Sequence, residues 1–212
     1  ENTHRHKFVP TCKINHTIYN KIKHEGNYGI TRYYKKRRSV RFFKPDQIKK
    51  EDLDKILEAG LWAPNARSRQ AVKFVVVQNA KTNDQLGKIN RKNFMEIADP
   101  KTNPYTKEEA LQSAFYNAPT VIYLFTPNTY PNSIQDCCVA SENMLLEATS
   151  LNVGITYIAR GEATFSSPLG LKLKEKWGLS KEYKCHSIVL LGYSSREITP
   201  KPRKENRIIY DN

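Results

Sequence analysis

The fold is indicated most clearly by residues 120–158, TVIYLFTPNTYPNSIQDCCVASENMLLEATSLNVGITYI. Residues 120–125 are all β-branched, aromatic or leucine, which is typical of a strand buried on both faces. Residues 133 to about 151 predict a long helix that is apolar around most of its circumference, and such a helix needs cover from its own core or from a partner subunit. A short strand is predicted next, at residues 154–158. This stretch therefore predicts a buried sheet packed against a helix that is covered on several sides.

Further elements are predicted on both sides of this stretch. Residues 72–78 (VKFVVVQ) and 187–193 (SIVLLGY) have the composition of buried strands. Helices are predicted to begin at Glu51, where an apolar stripe follows two acidic residues, and after Ser167, where a proline occupies the first helical position. Residues 79–106 are polar and predict a short helix at most. Strands mixed with helices, without regular βαβ alternation, predict an α+β sandwich with one central sheet.

Composition excludes several classes of protein. The chain has 212 residues, of which 39% are hydrophobic and 26% charged; this length suits one large domain or two small ones and is enough for a substantial core. No apolar run approaches the roughly 20 residues that cross a bilayer, and the first residues show no signal peptide. Four cysteines without CxxC spacing and histidines scattered near the N-terminus predict reduced thiols and no metal site. We therefore expect a cytoplasmic protein without a membrane partner.

Positive charge is concentrated in the first quarter of the chain. Residues 1–50 contain 14 Lys and Arg against 3 Asp and Glu, whereas residues 51–212 contain 21 against 18. A basic arm of this kind could bind nucleic acid or an anionic membrane, although a solvated Lys-rich surface is favoured. Aromatic residues lie among the basic ones at Tyr28, Tyr33 and Tyr34, as in single-strand binders, but no RRM, KH or OB signature accompanies them.

Three segments offer donors for an anion. Arg37-Arg38-Ser39-Val40-Arg41 combines guanidinium groups and a hydroxyl, which suit a phosphate monoester. Lys201-Pro202-Arg203 places two cations on one side of an extended segment. Residues 63–70 (APNARSRQ) form a polar turn between a helix and a strand. Rossmann, P-loop, esterase and zincin motifs are absent from the sequence. Each segment alone is more often a solvated charge run or a surface loop, but the three together, in this order, are specific.

In order and spacing, these segments resemble the FMN-dependent nitroreductase family over about residues 33–207. The matching stretches are RRSVRF (37–42), EDL (51–53), LWAP (61–64), VKFVVV (72–77), ASENMLLEA (140–148), LNVG (151–154), IVLLGY (188–193) and KPR (201–203). The resemblance implies a homodimer of three-layer α/β/α sandwiches, each with a central mixed, mostly antiparallel sheet. It also implies that a domain of residues 33–212, which binds FMN, follows a basic N-terminal arm of residues 1–32.

The resemblance assigns contacts with FMN to four groups of residues. Those implied to hold the phosphate, ribityl chain and pyrimidine edge are Arg37, Arg38, Ser39 and Arg41. The C-terminal pair implied to grip the phosphate is Lys201 and Arg203. The loop implied to reach the flavin from the other subunit contains Asn65, Ala66, Ser68 and Gln70. The backbone implied to lie along one flavin face belongs to Tyr157, Ile158, Ala159, Arg160 and Gly161.

The chain also departs from the family pattern. Ser68 stands where the family usually has Asn, and Arg67 replaces a small residue. Ala71-Val72 replaces the usual Pro-Trp, and Arg160 stands where Gly or an acidic residue is common. These departures concern the substrate and the detailed flavin contacts, not the choice of cofactor.

The implied activity is an oxidoreductase that takes hydride from NAD(P)H through flavin N5 and gives it to a nitro compound, quinone or similar acceptor. One open pocket would serve donor and acceptor in turn, which gives ping-pong kinetics. The cofactor performs the chemistry, so no catalytic side chain is expected, and Arg41 is the candidate for stabilising reduced flavin. Two alternatives stay open: another flavin reaction on this fold, such as reductive dehalogenation or a flavin-consuming activity, and, less favoured, a basic nucleic-acid-binding protein. We expect a homodimer with a small-molecule acceptor and neither a nucleic-acid nor a membrane partner.

Overall fold

A computed structural model describes residues 29–99, 101, 103, 105–129 and 131–211. Apart from its last four residues, the predicted basic arm lies outside the described residues. The helices and strands are α1 (Ile30–Lys36), α2 (Lys50–Leu61), β1 (Lys73–Val77), α3 (Ala80–Ile97), α4 (Lys107–Ala110), β2 (Thr120–Pro127), α5 (Ser133–Ser150), β3 (Gly154–Ile158), α6 (Gly161–Phe165), α7 (Pro168–Lys176) and β4 (Tyr183–Gly192).

The four strands form one antiparallel sheet in the order β1-β2-β4-β3. Strand β2 lies inside the sheet, and Tyr123 at its centre is paired with Val75 on one side and Ile188 on the other. A single parallel bridge between Ser39 and Ile155 attaches the segment before α2 to β3. All four predicted strands are present, and the predicted α+β class is confirmed.

Alternate residues of β2 belong to two different hydrophobic clusters, as the two-residue period of a strand requires. Ile122 and Leu124 pack with Ile56 of α2 and Met144 of α5. Neighbouring residues such as Tyr123 pack into a second cluster, which draws on α3, α6 and the end of α7. Helices therefore bury both sets of β2 side chains, which explains why this strand is apolar at every position.

The prediction for residues 79–106 is wrong, because the polar stretch forms the 18-residue helix α3. The side-chain oxygen of Asn79 caps this helix by accepting a hydrogen bond from the backbone N–H of Thr82 at 2.9 Å. The buried face of α3 carries polar side chains such as Asn83, which donates to the carbonyl of Val77 at 2.9 Å and accepts from the Tyr123 hydroxyl at 3.0 Å. Hydrogen-bonded polar side chains thus interrupt the hydrophobic stripe of α3. For this reason the sequence did not show the apolar periodicity of a helix.

Candidate functional site

The Arg37–Arg41 segment lies across the ends of β3 and β4. The backbone N–H of Val40 donates to the carbonyl of Ile155 at 3.0 Å, and the Thr156 hydroxyl donates to the carbonyl of Val40. Further along, Lys44 N–H donates to the carbonyl of Tyr193 at 2.8 Å. These bonds fix the backbone of the segment against the sheet.

Three guanidinium groups converge at this edge of the sheet. The pKa of Arg38 is lowered, first by slight burial and then by the positive charges of Arg203 and Arg37. The Arg38 guanidinium donates a hydrogen bond to the carbonyl of Lys35. In the described part of the chain, none of the three arginines forms an ion pair with a carboxylate. These guanidinium groups carry positive charge that no carboxylate offsets, and each offers several N–H donors in one plane. Such a group of side chains is suited to bind an anion such as phosphate.

The structure thus brings together two predicted segments that lie far apart in the sequence. Arg203 belongs to the exposed C-terminal tail, and Lys201 lies two residues before it on the same exposed stretch. Ser39, between the arginines, is held by its bridge to Ile155. The positive charge of Arg203 in the C-terminal tail therefore lies near enough to Arg38 to lower its pKa.

The turn between β3 and α6 is held rigidly from two sides. The carbonyl of Ala159 accepts a hydrogen bond from the Asn90 side chain at 2.9 Å. A Cβ at position 161 would lie only 2.6 Å from the carbonyl oxygen and Sγ of Cys185, so only glycine fits there. Before this turn, Ile158 is buried and Tyr157 is 37% exposed. The turn therefore presents its backbone in a fixed position.

Arg160 begins α6 in a left-handed conformation, with φ of 63°. That conformation is uncommon outside glycine. The guanidinium donates to the Asn90 side-chain oxygen at 3.3 Å and lies 4.8 Å from the centroid of the Phe94 ring. Contacts with α3 thus hold an arginine at a position where the family pattern has Gly or an acid.

The loop from Asn65 to Gln70 lies beside α5. Its backbone is left-handed at Arg67, Ser68 and Gln70, where φ is 56°, 50° and 50°. The Asn65 side-chain oxygen accepts from the backbone N–H of Gln70 at 2.8 Å, and Ala66 N–H donates to Asp136 of α5 at 3.2 Å. A residue other than glycine is strained in the left-handed backbone conformation, and such residues often lie at binding sites. The hydrogen bond from Ala66 to Asp136 thus attaches this loop to α5.

Sequence reasoning missed a second set of residues. Arg91, Tyr105 and Tyr116 line a cavity of about 960 Å³ that Arg41 also borders. Arg91 lies on α3, which was predicted as a short helix at most, and only 4% of it is exposed. If residues 80–97 had been predicted as a helix, Arg91 would have been placed one turn after Gly87 and next to Asn90, on the buried face.

Comparison with known proteins agrees with this geometry. The family model described as the nitroreductase family matches residues 34–193. The chain belongs to the nitroreductase family. A curated relative from Archaeoglobus fulgidus is 28% identical over 166 residues, which are 76% of this chain and 83% of the relative; its name, NADH dehydrogenase/NAD(P)H nitroreductase, is provisional. The predicted family and the predicted oxidoreductase class are confirmed.

Solved structures of nitroreductases share the fold. One from Bacteroides fragilis, with bound FMN, has 27% identity and a TM-score of 0.73 over 86% of this chain and 98% of its own. Another from Desulfitobacterium hafniense, also with bound FMN, has 24% identity and a TM-score of 0.75, and it covers 86% of this chain and 98% of its own. The predicted cofactor agrees with the FMN in both.

Two features would indicate other kinds of site in the described residues: a membrane-spanning helix and a cluster of metal ligands. No helix there is both long enough and apolar enough to span a bilayer. The same residues contain no group of three or more His, Cys, Asp or Glu side chains that could hold a metal ion.

Proposed function

We propose that this nitroreductase binds FMN and transfers hydride from NAD(P)H to a nitro compound, a quinone or a similar acceptor. The observation that carries the proposal is that the positive charges of Arg37 and Arg203 both act on Arg38, while no ion pair among the described residues joins any of the three to a carboxylate. A phosphate monoester would offset those like charges and accept several charge-assisted hydrogen bonds at once. The Ser39 hydroxyl and Lys201 would supply further donors.

When bound, FMN supplies reversible hydride acceptance at N5, and the protein supplies position and charge. Arg41 follows the phosphate-binding arginines along the same segment, and its positive charge would offset negative charge at the pyrimidine edge. The backbone of the turn from Tyr157 to Gly161 would support one face of the ring, because Asn90 and Cys185 hold that turn in place. The residues of this site thus bind and orient, and none is assigned a proton-transfer step.

The exposed apolar surface of α2 and α5 supports a homodimer of three-layer α/β/α protomers. Trp62, at the end of α2, is 80% exposed, and Ile134 and Val139 on α5 are 58% and 37% exposed. The two helices are neighbours, since Asn143 donates to the carbonyl of Ala59 at 3.0 Å. The loop of residues 65–70 leaves α2 beside this surface, so a partner packed here would receive the loop at its own flavin. An obligate dimer of this kind buries more than roughly 2,000 Å² in total.

A single pocket that serves reductant and acceptor in turn predicts ping-pong kinetics. Initial rates are measured with NADH varied at several fixed concentrations of a nitroarene. Double-reciprocal plots should be parallel, because NAD⁺ leaves before the acceptor enters. Lines that converge would show that both substrates occupy the protein together, and would contradict alternating use of one pocket.

Residues 1–32 are expected to contribute packing or dimer contacts and no chemistry, since they lie outside the family match and contain no acid–base constellation. A truncated protein beginning at Thr31 should keep bound FMN and most of its NAD(P)H-dependent reduction of a generic quinone. FMN content, sedimentation and turnover are measured together with those of the full chain. A truncated protein that folds, dimerises and binds FMN but has lost turnover would show that the arm lines the active site.

A further inference from the structure

A large cavity next to Arg41 is lined in part by cationic and aromatic side chains. It has a volume of about 960 Å³ and lies between α3, the segment of residues 105–117 and the Arg41–Phe43 segment. Cavities of this size suit a small organic ligand, which is oriented by a few well-placed polar groups. Since Arg41 is assigned to the pyrimidine edge of FMN, this cavity adjoins the proposed flavin site.

Arg91 is the most unusual residue of this cavity. Its guanidinium carbon lies 3.8 Å from the centroid of the Tyr105 ring and 5.8 Å from that of Tyr116. Only 4% of the residue is exposed, and its Nε has no hydrogen-bond partner. Burying a cation that has an unpaired hydrogen-bond donor costs folding free energy unless an anion pairs with it. The aromatic rings partly offset this cost through cation–π contacts, but leave the donor unsatisfied.

Other cations lie close to Arg91. The Arg41 guanidinium carbon is 6.0 Å from the centroid of the Tyr116 ring, so Arg41 and Arg91 approach the same ring. The pKa of Arg160 is lowered by burial, and the positive charge of Arg91 lowers it further. Arg41 and Arg91 therefore both contribute positive charge to the lining of the cavity, and Arg160 lies near Arg91 outside that lining.

The acidic residues that line the cavity are engaged elsewhere. Asp84 forms an ion pair with Lys88 at 2.8 Å, one turn away on α3. Glu109 accepts a hydrogen bond from the backbone N–H of Thr106 at 2.9 Å and so caps α4. Over the described residues, neither Arg41 nor Arg91 is paired with a carboxylate. The cavity is therefore complementary to an anion that also offers an aromatic or apolar surface.

We propose that this cavity binds the carboxylate of a small aromatic electron acceptor, with Arg91 and Arg41 as its cationic partners and Tyr105 and Tyr116 against its ring. The inference rests on the proposed function, because it names the substrate class of the same site. Arg91 acts as a specificity-determining residue, since it is a buried cation in the lining of this cavity and its Nε has no hydrogen-bond partner. A neutral acceptor of the same shape would leave its guanidinium unsatisfied.

The first test uses benzoate and benzamide, which are non-reducible probes of nearly the same shape, and isothermal titration of the FMN-loaded protein. Wild-type protein should bind benzoate at least tenfold more tightly than benzamide, as expected for a charge-assisted hydrogen bond. The substitution Arg91→Gln should remove that preference. Lys92→Gln removes one positive charge from the exposed side of the same helix and should change the affinity for benzoate less than twofold. Equal binding of the two probes by wild-type protein overturns the proposal without any variant.

The second test separates the acceptor from the other anions of the reaction. In Arg91→Gln, the KM for 4-nitrobenzoate should rise at least tenfold, while those for 4-nitrobenzamide and NADH stay within about twofold. An equal rise in the KM for NADH would assign Arg91 to the phosphates of the reductant and overturn the proposal. FMN content is measured in parallel, and loss of FMN from Arg91→Gln would assign the residue to the cofactor. Absence of FMN from wild-type protein would instead refute the proposed function.

Discussion

Replacing Arg37 and Arg203 together with alanine is expected to lower the affinity for FMN at least 100-fold. Each substitution removes a guanidinium that would form charge-assisted hydrogen bonds with the phosphate, at a cost of about 1.5–3 kcal/mol each, or at least tenfold in affinity. The proximity of both residues to Arg38 supports their action on one phosphate. The effect should be large because two separate segments of the chain lose their contact with the same group.

The measurement is FMN retained after extended dialysis, followed by titration of the apoprotein with FMN. A double substitution at Lys49 and Arg207 to alanine serves as the control, because it also removes two exposed positive charges but lies outside the proposed site. The control should retain FMN. If the Arg37 and Arg203 double variant retains as much FMN as wild-type protein, the assignment of the phosphate site is wrong.

Replacing Ile134 and Val139 with aspartate is expected to separate the dimer and release FMN. Both residues lie on the exposed face of α5, which the proposed dimer buries. Burying two unpaired carboxylates there should cost at least about 4 kcal/mol, which is roughly a thousandfold in the dimer dissociation constant. FMN should be lost at the same time, because the loop of residues 65–70 would no longer reach the flavin of the other subunit.

Sedimentation equilibrium and flavin absorbance measured on the same samples test this result. Leu171→Asp is the matched control, since Leu171 is 51% exposed on α7 and lies apart from the α2–α5 surface. That variant should stay dimeric and yellow. Wild-type protein that sediments as a compact 24.5 kDa species and still holds flavin would contradict an obligate dimer.

The sheet was predictable from the sequence because its strands are nearly uniform in hydrophobicity. Residues 120–125 and 187–193 are apolar at almost every position, since helices cover both sets of side chains. Helix α3 was not predictable in the same way, because Asn83, Asn90 and Arg91 occupy its buried face. Those side chains are compatible with burial only through partners outside the helix, such as Val77, Ala159 and Tyr105, which the helical pattern itself cannot show.

Candidate site residues could be proposed from the sequence where a local motif contains them. Arg37 to Arg41 and Lys201 to Arg203 stand out by charge and spacing, but only the fold shows that Arg203 comes near Arg37 and Arg38. The cavity around Arg91 could not be predicted, since its residues are contributed by three segments with no shared motif. The left-handed conformation of Arg160 could not be predicted either, because an arginine seldom adopts a positive φ.

The central claim is that FMN in this protein accepts hydride from NAD(P)H and returns it to an acceptor. The most direct measurement is an anaerobic titration of the purified, FMN-reconstituted protein with NADH and with NADPH, followed by the visible absorbance of the flavin. We expect about one FMN per subunit, loss of the oxidised flavin band on addition of one or both reductants, and its return when a nitroarene or quinone is added. A protein that binds no FMN on reconstitution, or whose bound flavin keeps its oxidised spectrum with both reductants, would contradict the claim.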